Sequence, residues 1–419
     1  MSAKILAKII LVLASLLLAM AMAGCGNAGC ATATPGATGG SSGGSSGGAT
    51  PPPGGCALTG TGGGTNNLQR AFVYFMDDSA GQIGAEGLNV NTAGSFAPVP
   101  NFVPPQMPTV ASDGGIVIVD QKYLYVPLDS GDLYGYSIDG TTGALSALSG
   151  SPYPVNGLAA TISSFSIAAD PAGNFVFVGD AAGITVFAVN SGNGALTPVN
   201  TTPVSTGIGA PSQMATDGLG KYLYVLDGTS IAQFSYSSTG ALTSLGTVSS
   251  SITDMAMITG EPSGKWMLGT RAQVGAQGGA LDLNVYVFSI SSTGALSAAI
   301  PTSTPFPPTY VAVSPNGKFV YTFNEDDSNP NNPTFLQPIV GLTFNSATGA
   351  LTNPTPFPDV LSKIGHIDQS GALLFAIGQS TTATAAGTVP ISILSDGTLS
   401  ASTQHAGAPS FSFAVTDAP

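Results

Sequence analysis

A short stretch, Ser292-Thr293-Gly294-Ala295-Leu296, returns along almost the whole chain and constrains its fold more than any other feature. Plain copies stand at Thr142-Gly143-Ala144-Leu145, Gly194-Ala195-Leu196, Thr239-Gly240-Ala241-Leu242 and Thr348-Gly349-Ala350-Leu351, with weaker ones at Gly94-Ser95-Phe96 and Asp396-Gly397-Thr398-Leu399. The seven copies recur roughly every 50 residues, a period that belongs to blade-like repeat units. The marker follows short runs that alternate apolar and polar residues, such as Ile184-Thr185-Val186-Phe187-Ala188-Val189 and Asn284-Val285-Tyr286-Val287-Phe288-Ser289-Ile290. Such period-two runs are strands. The marker therefore reads as a hairpin turn, with a glycine free to take positive φ and a leucine that enters the next strand.

Upstream in each unit lies a second hairpin. It is clearest in Val311-Ala312-Val313-Ser314-Pro315-Asn316-Gly317-Lys318-Phe319-Val320-Tyr321, where Pro-Asn-Gly separates two alternating runs. Variants stand at 167–177 and 214–224. Two hairpins per unit give four antiparallel strands, and seven such units give an all-β, seven-bladed β-propeller. Tandem sandwiches need about 100 residues each and β-helix coils far fewer than 50. The first unit starts at Ala71-Phe72-Val73-Tyr74-Phe75 with no inner strand before it, whereas Ser410-Phe411-Ser412-Phe413-Ala414-Val415-Thr416-Asp417 looks like Ser164-Phe165-Ser166-Ile167-Ala168-Ala169-Asp170. The C-terminal strand is accordingly expected to complete the first blade and close the ring.

The Val311–Tyr321 segment, Tyr123-Leu124-Tyr125-Val126 and the Thr-Gly-Ala-Leu turns resemble the lactonase-type seven-bladed propellers, which include 6-phosphogluconolactonase-like and YVTN-repeat surface proteins. The resemblance covers residues 70–419 and implies a propeller, with sugar-lactone hydrolysis in some members. Its motifs are turns and strands, so they specify the fold and not the chemistry. No stretch matches a catalytic motif residue by residue. Outside residues 1–24 the only arginines and histidines are Arg70, Arg271, His366 and His405, which counts against a phosphorylated sugar acid as substrate.

Residues 1–24 read as an export signal: Lys4 and Lys8, then an apolar run over 9–20, then small residues. The run is too short for a comfortable membrane span. Ala21-Met22-Ala23 would serve an ordinary signal peptidase, while Met22-Ala23-Gly24-Cys25 resembles the bacterial lipobox, with Met22 in place of the usual Leu. Counting cysteines favours lipidation of Cys25, because Cys30 and Cys56 then remain as an even pair that an oxidising compartment would join in a disulfide. Ordinary secretion would instead leave one free thiol. Gly26 carries no Asp-type retention signal, which fits outer-membrane delivery in a diderm host. Residues 25–69 then form a Gly/Ser/Thr/Pro tether that cannot bury enough apolar surface to fold, ahead of the propeller at 70–419.

The formal net charge of −13 makes nucleic acid an improbable partner. Acidic residues collect in the loops opposite the marker turns, at Asp77, Asp78, Asp129, Asp132, Asp180, Asp227, Asp282, Glu325, Asp326 and Asp327. Glu325, Asp326, Asp327 and Asn329 offer oxygen ligands to Ca²⁺, although the spacing is not an EF-hand loop and Asp and Asn serve turns equally well. His366, in Ile364-Gly365-His366-Ile367-Asp368, is placed on the inner strand of the seventh blade, either as a channel-facing general base or as a packing residue. His366, Arg271 and Glu325 are the candidate catalytic set. Trp266 and the Tyr-Leu-Tyr runs are expected to pack between blades.

The sequence thus points to a monomeric envelope lipoprotein whose propeller binds an envelope protein or a small carbohydrate-like ligand without an obligatory cofactor. The alternative is a lactonase-like hydrolase of a sugar lactone. A surface repeat protein with a structural role alone differs little from the first in sequence.

Overall fold

The alternating runs become strands because their side chains pack against the sheets of neighbouring blades, and the fold is a seven-bladed β-propeller of four-stranded antiparallel blades. The computed structural model describes residues 69–77, 82–89, 95–98, 103, 105, 115–128, 131–155, 166–249, 255–271, 281–325, 336–380, 387–401 and 413–417. All of them belong to one unit, residues 53–419. The leader, Cys25, Cys30 and Cys56 lie outside the described residues. Among the described residues no helix is long and apolar enough to cross a membrane.

Blade 1 holds β1 (Gln69–Asp77), β2 (Gln82–Asn89) and β3 (Ser95–Pro98), and blade 2 holds β4 (Val117–Val119), β5 (Tyr123–Leu128), β6 (Asp132–Ile138) and β7 (Leu145–Ala147). A two-residue strand, β8 (Tyr153–Pro154), also pairs with β6. Blade 3 is β9 (Ser166–Ala169), β10 (Phe175–Asp180), β11 (Gly183–Val189) and β12 (Leu196–Pro198). Blade 4 is β13 (Gln213–Thr216), β14 (Tyr222–Leu226), β15 (Ser230–Tyr236) and β16 (Leu242–Ser249). Blade 5 is β17 (Met255–Gly260), β18 (Trp266–Arg271), β19 (Asn284–Ser289) and β20 (Ile300–Ser303). Blade 6 is β21 (Pro308–Val313), β22 (Phe319–Glu325), β23 (Leu336–Asn345) and the first part of β24 (Ala350–Ile367). The rest of β24 opens blade 7, followed by β25 (Leu373–Ser380), β26 (Gly387–Ile393) and β27 (Leu399–Ala401).

The last strand, β28 (Phe413–Asp417), pairs antiparallel with β1, from Ala71 opposite Asp417 to Phe75 opposite Phe413. This is the pairing that the likeness between the 164–170 and 410–417 segments predicts. Blades 6 and 7 depart from the expected pattern, because the outer strand of one runs without a break into the inner strand of the other. β24 is 18 residues long and pairs with β23 up to Leu361 and with β25 from Val360 onward. Its prolines, Pro354, Pro356 and Pro358, fall in the stretch before β25 takes over, where one edge is free of a ladder and a missing N–H costs little.

The second strand of each blade sends alternate side chains to opposite neighbours. Tyr123 and Tyr125 of blade 2 share a core with Val176, Val178 and Phe187 of blade 3, while Leu124 and Val126 pack with Phe72 and Tyr74 of blade 1. Here the marker acquires its meaning. The Tyr74 hydroxyl donates to the Gly143 carbonyl at 2.8 Å, Tyr125 to Gly194 at 2.6 Å, Tyr224 to Gly294 at 2.9 Å and Tyr321 to Gly397 at 2.9 Å. These four marker turns are therefore bonded to the preceding blade. Where blade 5 has Leu268 in place of that tyrosine, Trp266 donates instead from Nε1 to the Ser346 carbonyl at 2.8 Å. Trp266 thus packs between blades, as the sequence predicts.

Candidate functional site

One end of the propeller carries the marker and Pro-Asn-Gly turns; the other carries the loops that join the second and third strands. Asp180 and Asp227 stand in those latter loops. The Asp180 Oδ1 accepts from the backbone N–H groups of Ala182 and Gly183, and the Asp227 Oδ1 from Thr229 and Ser230. Both carboxylates hold tight turns, the ordinary use of Asp at such positions. Asp180 is nevertheless buried, its Oδ2 has no hydrogen-bond partner among the described residues, and burial raises its carboxyl above the usual range.

His366 lies on the part of β24 that forms the inner strand of blade 7, opposite Phe375 of β25. The residue before it must be small: a Cβ on Gly365 would meet the Phe323 ring at about 2.0 Å. Phe323, Tyr310 and His366 then run edge to face across blades 6 and 7, with Tyr310 at 6.0 Å from Phe323 and 5.9 Å from His366 between ring centroids. The Tyr310 hydroxyl is 3.4 Å from His366 Nε2. Burial lowers the His366 pKa to about 4 and raises that of Tyr310 to about 12. At neutral pH the pair is an uncharged imidazole beside a protonated phenol, one group able to accept a proton and the other to donate a hydrogen bond.

Arg271 ends β18 in blade 5. Its Nη1 meets Asp282 Oδ2 at 2.9 Å, with the arginine side chain 29% and the aspartate 10% exposed. Asp282 also accepts from the Tyr286 hydroxyl at 2.5 Å and from the Asn284 backbone and amide at 2.9 and 2.8 Å. Burial favours its neutral form, yet the hydrogen bonds from Tyr286, Arg271 and Asn284 outweigh this and hold the carboxyl below the usual range. Arg271, Asp282 and Asn284, with Ser303, border an open cavity of about 420 Å³.

Glu325 ends β22 in blade 6 and pairs through its backbone with Leu336. The three catalytic candidates therefore sit on three different blades. The Ca²⁺ candidates Asp326, Asp327 and Asn329 lie outside the described residues, as does His405. Among the described residues no group of three or more His, Cys, Asp or Glu is placed to hold a metal ion.

Sequence reasoning missed two features. Tyr286 reads only as a strand residue and Tyr310 stands outside the motifs quoted above, and nothing local shows that they reach Asp282 and His366. The marker end of the propeller, set aside as structural, holds a cavity of about 320 Å³ between the outer strands of blade 6 and the marker turn of blade 7.

Residues 158–271, which span blades 3 and 4 and the first half of blade 5, match the family model described as "Lactonase, 7-bladed beta-propeller". Comparison with curated proteins finds no match. Among solved structures, the periplasmic gluconolactonase of Pseudomonas aeruginosa is similar with a TM-score of 0.59 and 16% identity, over 84% of this chain and 100% of that one. A Bacteroides fragilis protein proposed to be a 6-phosphogluconolactonase gives a TM-score of 0.59 and 15% identity, over 84% and 99%. A functionally unknown protein from Desulfotomaculum acetoxidans gives 0.55 and 13%, over 82% and 98%. At such identities the structural likeness speaks for the fold. The chain is similar to the lactonase-type seven-bladed β-propellers, in sequence over residues 158–271 and in fold over most of its length.

Proposed function

We propose that this chain is an extracytoplasmic propeller that hydrolyses an unphosphorylated sugar lactone. The observation that carries this is the match of residues 158–271 to the lactonase propeller model, with the fold of a periplasmic gluconolactonase beside it. An unphosphorylated substrate is preferred because Arg271 is engaged by Asp282 and the chain has one further arginine, Arg70. A phosphate would call for several free cationic donors. The leader and the Cys25 lipobox support action at the envelope, on a tether anchored by lipid.

In this proposal water adds to the lactone carbonyl, the ring C–O bond breaks, and an aldonic acid leaves. The water proton needs an acceptor and the developing oxyanion a donor. His366, neutral at pH 7, is the acceptor and the Tyr310 hydroxyl the donor. A screen of glucono-1,5-lactone, galactono-1,4-lactone and 6-phosphogluconolactone by pH-stat is the test. Turnover of an unphosphorylated lactone is expected, falling roughly 10²- to 10⁴-fold in His366→Ala.

A non-catalytic binding role is the second possibility, and the spread of His366, Arg271 and Glu325 over three blades favours it. Hydrolysis no faster than in buffer would overturn the hydrolase and leave binding.

A further inference from the structure

The cavity at the marker end lies where blade 6 breaks its own pattern. β23 and β24 pair Gly341 with Thr355 and Thr343 with Thr352, so Leu342 faces two residues, Asn353 and Pro354. This is a β-bulge, a device that re-aims side chains and recurs beside binding sites. Asn353 takes φ +55°, one of few residues other than glycine with positive φ among those described. It is exposed, and its amide makes no hydrogen bond among the described residues.

The opposite wall is one of the two weaker copies of the marker, Asp396-Gly397-Thr398-Leu399. Asp396 Oδ1 accepts from both the backbone N–H and the hydroxyl of Thr398, at 3.0 and 2.7 Å, which leaves Oδ2 without a partner among the described residues. Those bonds hold the carboxyl below the usual range, so it is an ionised acceptor. Phe319 and Phe357, both half-buried, supply apolar lining, and Thr355 adds a hydroxyl. Among the described residues no basic side chain lines the cavity.

We infer that this bulged cleft between blades 6 and 7 binds an uncharged sugar ring, at a site separate from the inner-strand pair of His366 and Tyr310. Three features select the ligand class. The volume of about 320 Å³ lies at the lower end of small-ligand pockets, enough for one ring. Phenyl rings carry a negative face that attracts the polarised C–H groups on the apolar side of a pyranose. A free amide and a free carboxylate oxygen together donate to and accept from vicinal hydroxyls, whereas the absence of a cation and the presence of Asp396 reject phosphorylated or carboxylated sugars. The inference goes beyond lactone hydrolysis and does not rest on it: it concerns retention on a glycan surface, at the end of the propeller away from the second-to-third-strand loops.

The test is saturation-transfer NMR and calorimetry on the full chain with D-glucose, D-galactose, D-mannose, N-acetylglucosamine, cellobiose and maltose, and glucose 6-phosphate as the charged control. Binding of at least one neutral sugar is expected, with the charged control weaker. Asn353→Gly keeps the backbone conformation and removes the amide, and Phe357→Ala removes a phenyl wall. Each is expected to weaken binding about tenfold or more, with the thermal midpoint of Asn353→Gly and any lactone turnover unchanged. A panel in which no neutral sugar binds overturns the inference, as does binding that Asn353→Gly leaves intact or a preference for glucose 6-phosphate.

Discussion

His366 shows how one half-buried side chain ties the site to the stability of the fold. Its imidazole is neutral in the folded protein because burial lowers its pKa to about 4, whereas an unfolded histidine titrates near 6.5. The unfolded chain therefore binds a proton that the folded one refuses. The stability that neutral His366 contributes is fully present above pH 6.5 and is lost as pH falls from 6.5 toward 4, by about 1.4 kcal/mol for each unit by which the pKa is depressed. Asp180 and Asp368 carry the opposite sign: burial raises both, so their contribution is present at acid pH and lost as pH rises through their folded pKa values. His366→Gln is expected to flatten the fall in melting temperature between pH 7 and pH 5. Thermal melts of both proteins at the two pH values check this; parallel losses in each would mean that His366 is not the titrating group. The same depression places the acid limb of any lactonase pH profile near 4 and not near 6.5.

The hairpin that carries the marker does two things at once, and two substitutions separate them. Gly349 has φ +74°, and a Cβ there would meet the Trp266 ring at 2.4 Å, so Gly349→Ala meets both backbone strain and a collision with the preceding blade. The expected loss is roughly 2–4 kcal/mol, read from chemical denaturation. Tyr224→Phe removes only the hydroxyl bond to the Gly294 carbonyl and should cost roughly 1 kcal/mol. Equal losses in the two variants would show that the ring seat contributes nothing beyond the bond. These pairings also mark the limit of what the sequence makes legible. The marker turns, the strands and the position of His366 on an inner strand follow from local periodicity and turn chemistry. The partners do not, because Tyr224 and Gly294 stand 70 residues apart and Tyr310 and His366 stand 56 apart, and no local pattern encodes which strand faces which. The continuity of β24 was hidden for a related reason. Its three prolines read as a break, and only the free edge of an outer strand makes them tolerable. Asn353 did leave a signal, an Asn-Pro step inside an apparent strand, but a bulge and a loop share that signature.

For the molecule as a whole the decisive element is the shortest in relation to its effect. β28 pairs with β1 along five residues and also lies against β4 and β24, so it touches blade 1 and both of the blades expected to flank it. Without it β1 would present an unpaired edge beside the buried Phe72, Val73 and Tyr74, the arrangement that invites strand addition by another chain. We propose that β28 closes the ring. A chain ending at Pro409 is then expected to melt lower by on the order of 10 °C, since the loss of a strand and of its two inter-blade contacts amounts to several kcal/mol. It should also lose cooperativity and associate through the open edge. Because a C-terminal deletion can destabilise for trivial reasons, the second arm supplies the missing strand in trans as a peptide of residues 410–419. If β28 closes the ring by pairing, the peptide restores the melting temperature and the monomeric state of the truncated chain, as an added strand does at other open sheet edges. An unchanged melting temperature in the truncated chain, or a peptide without effect on a destabilised one, would mean that the ring is held shut by contacts between blades and not by this strand.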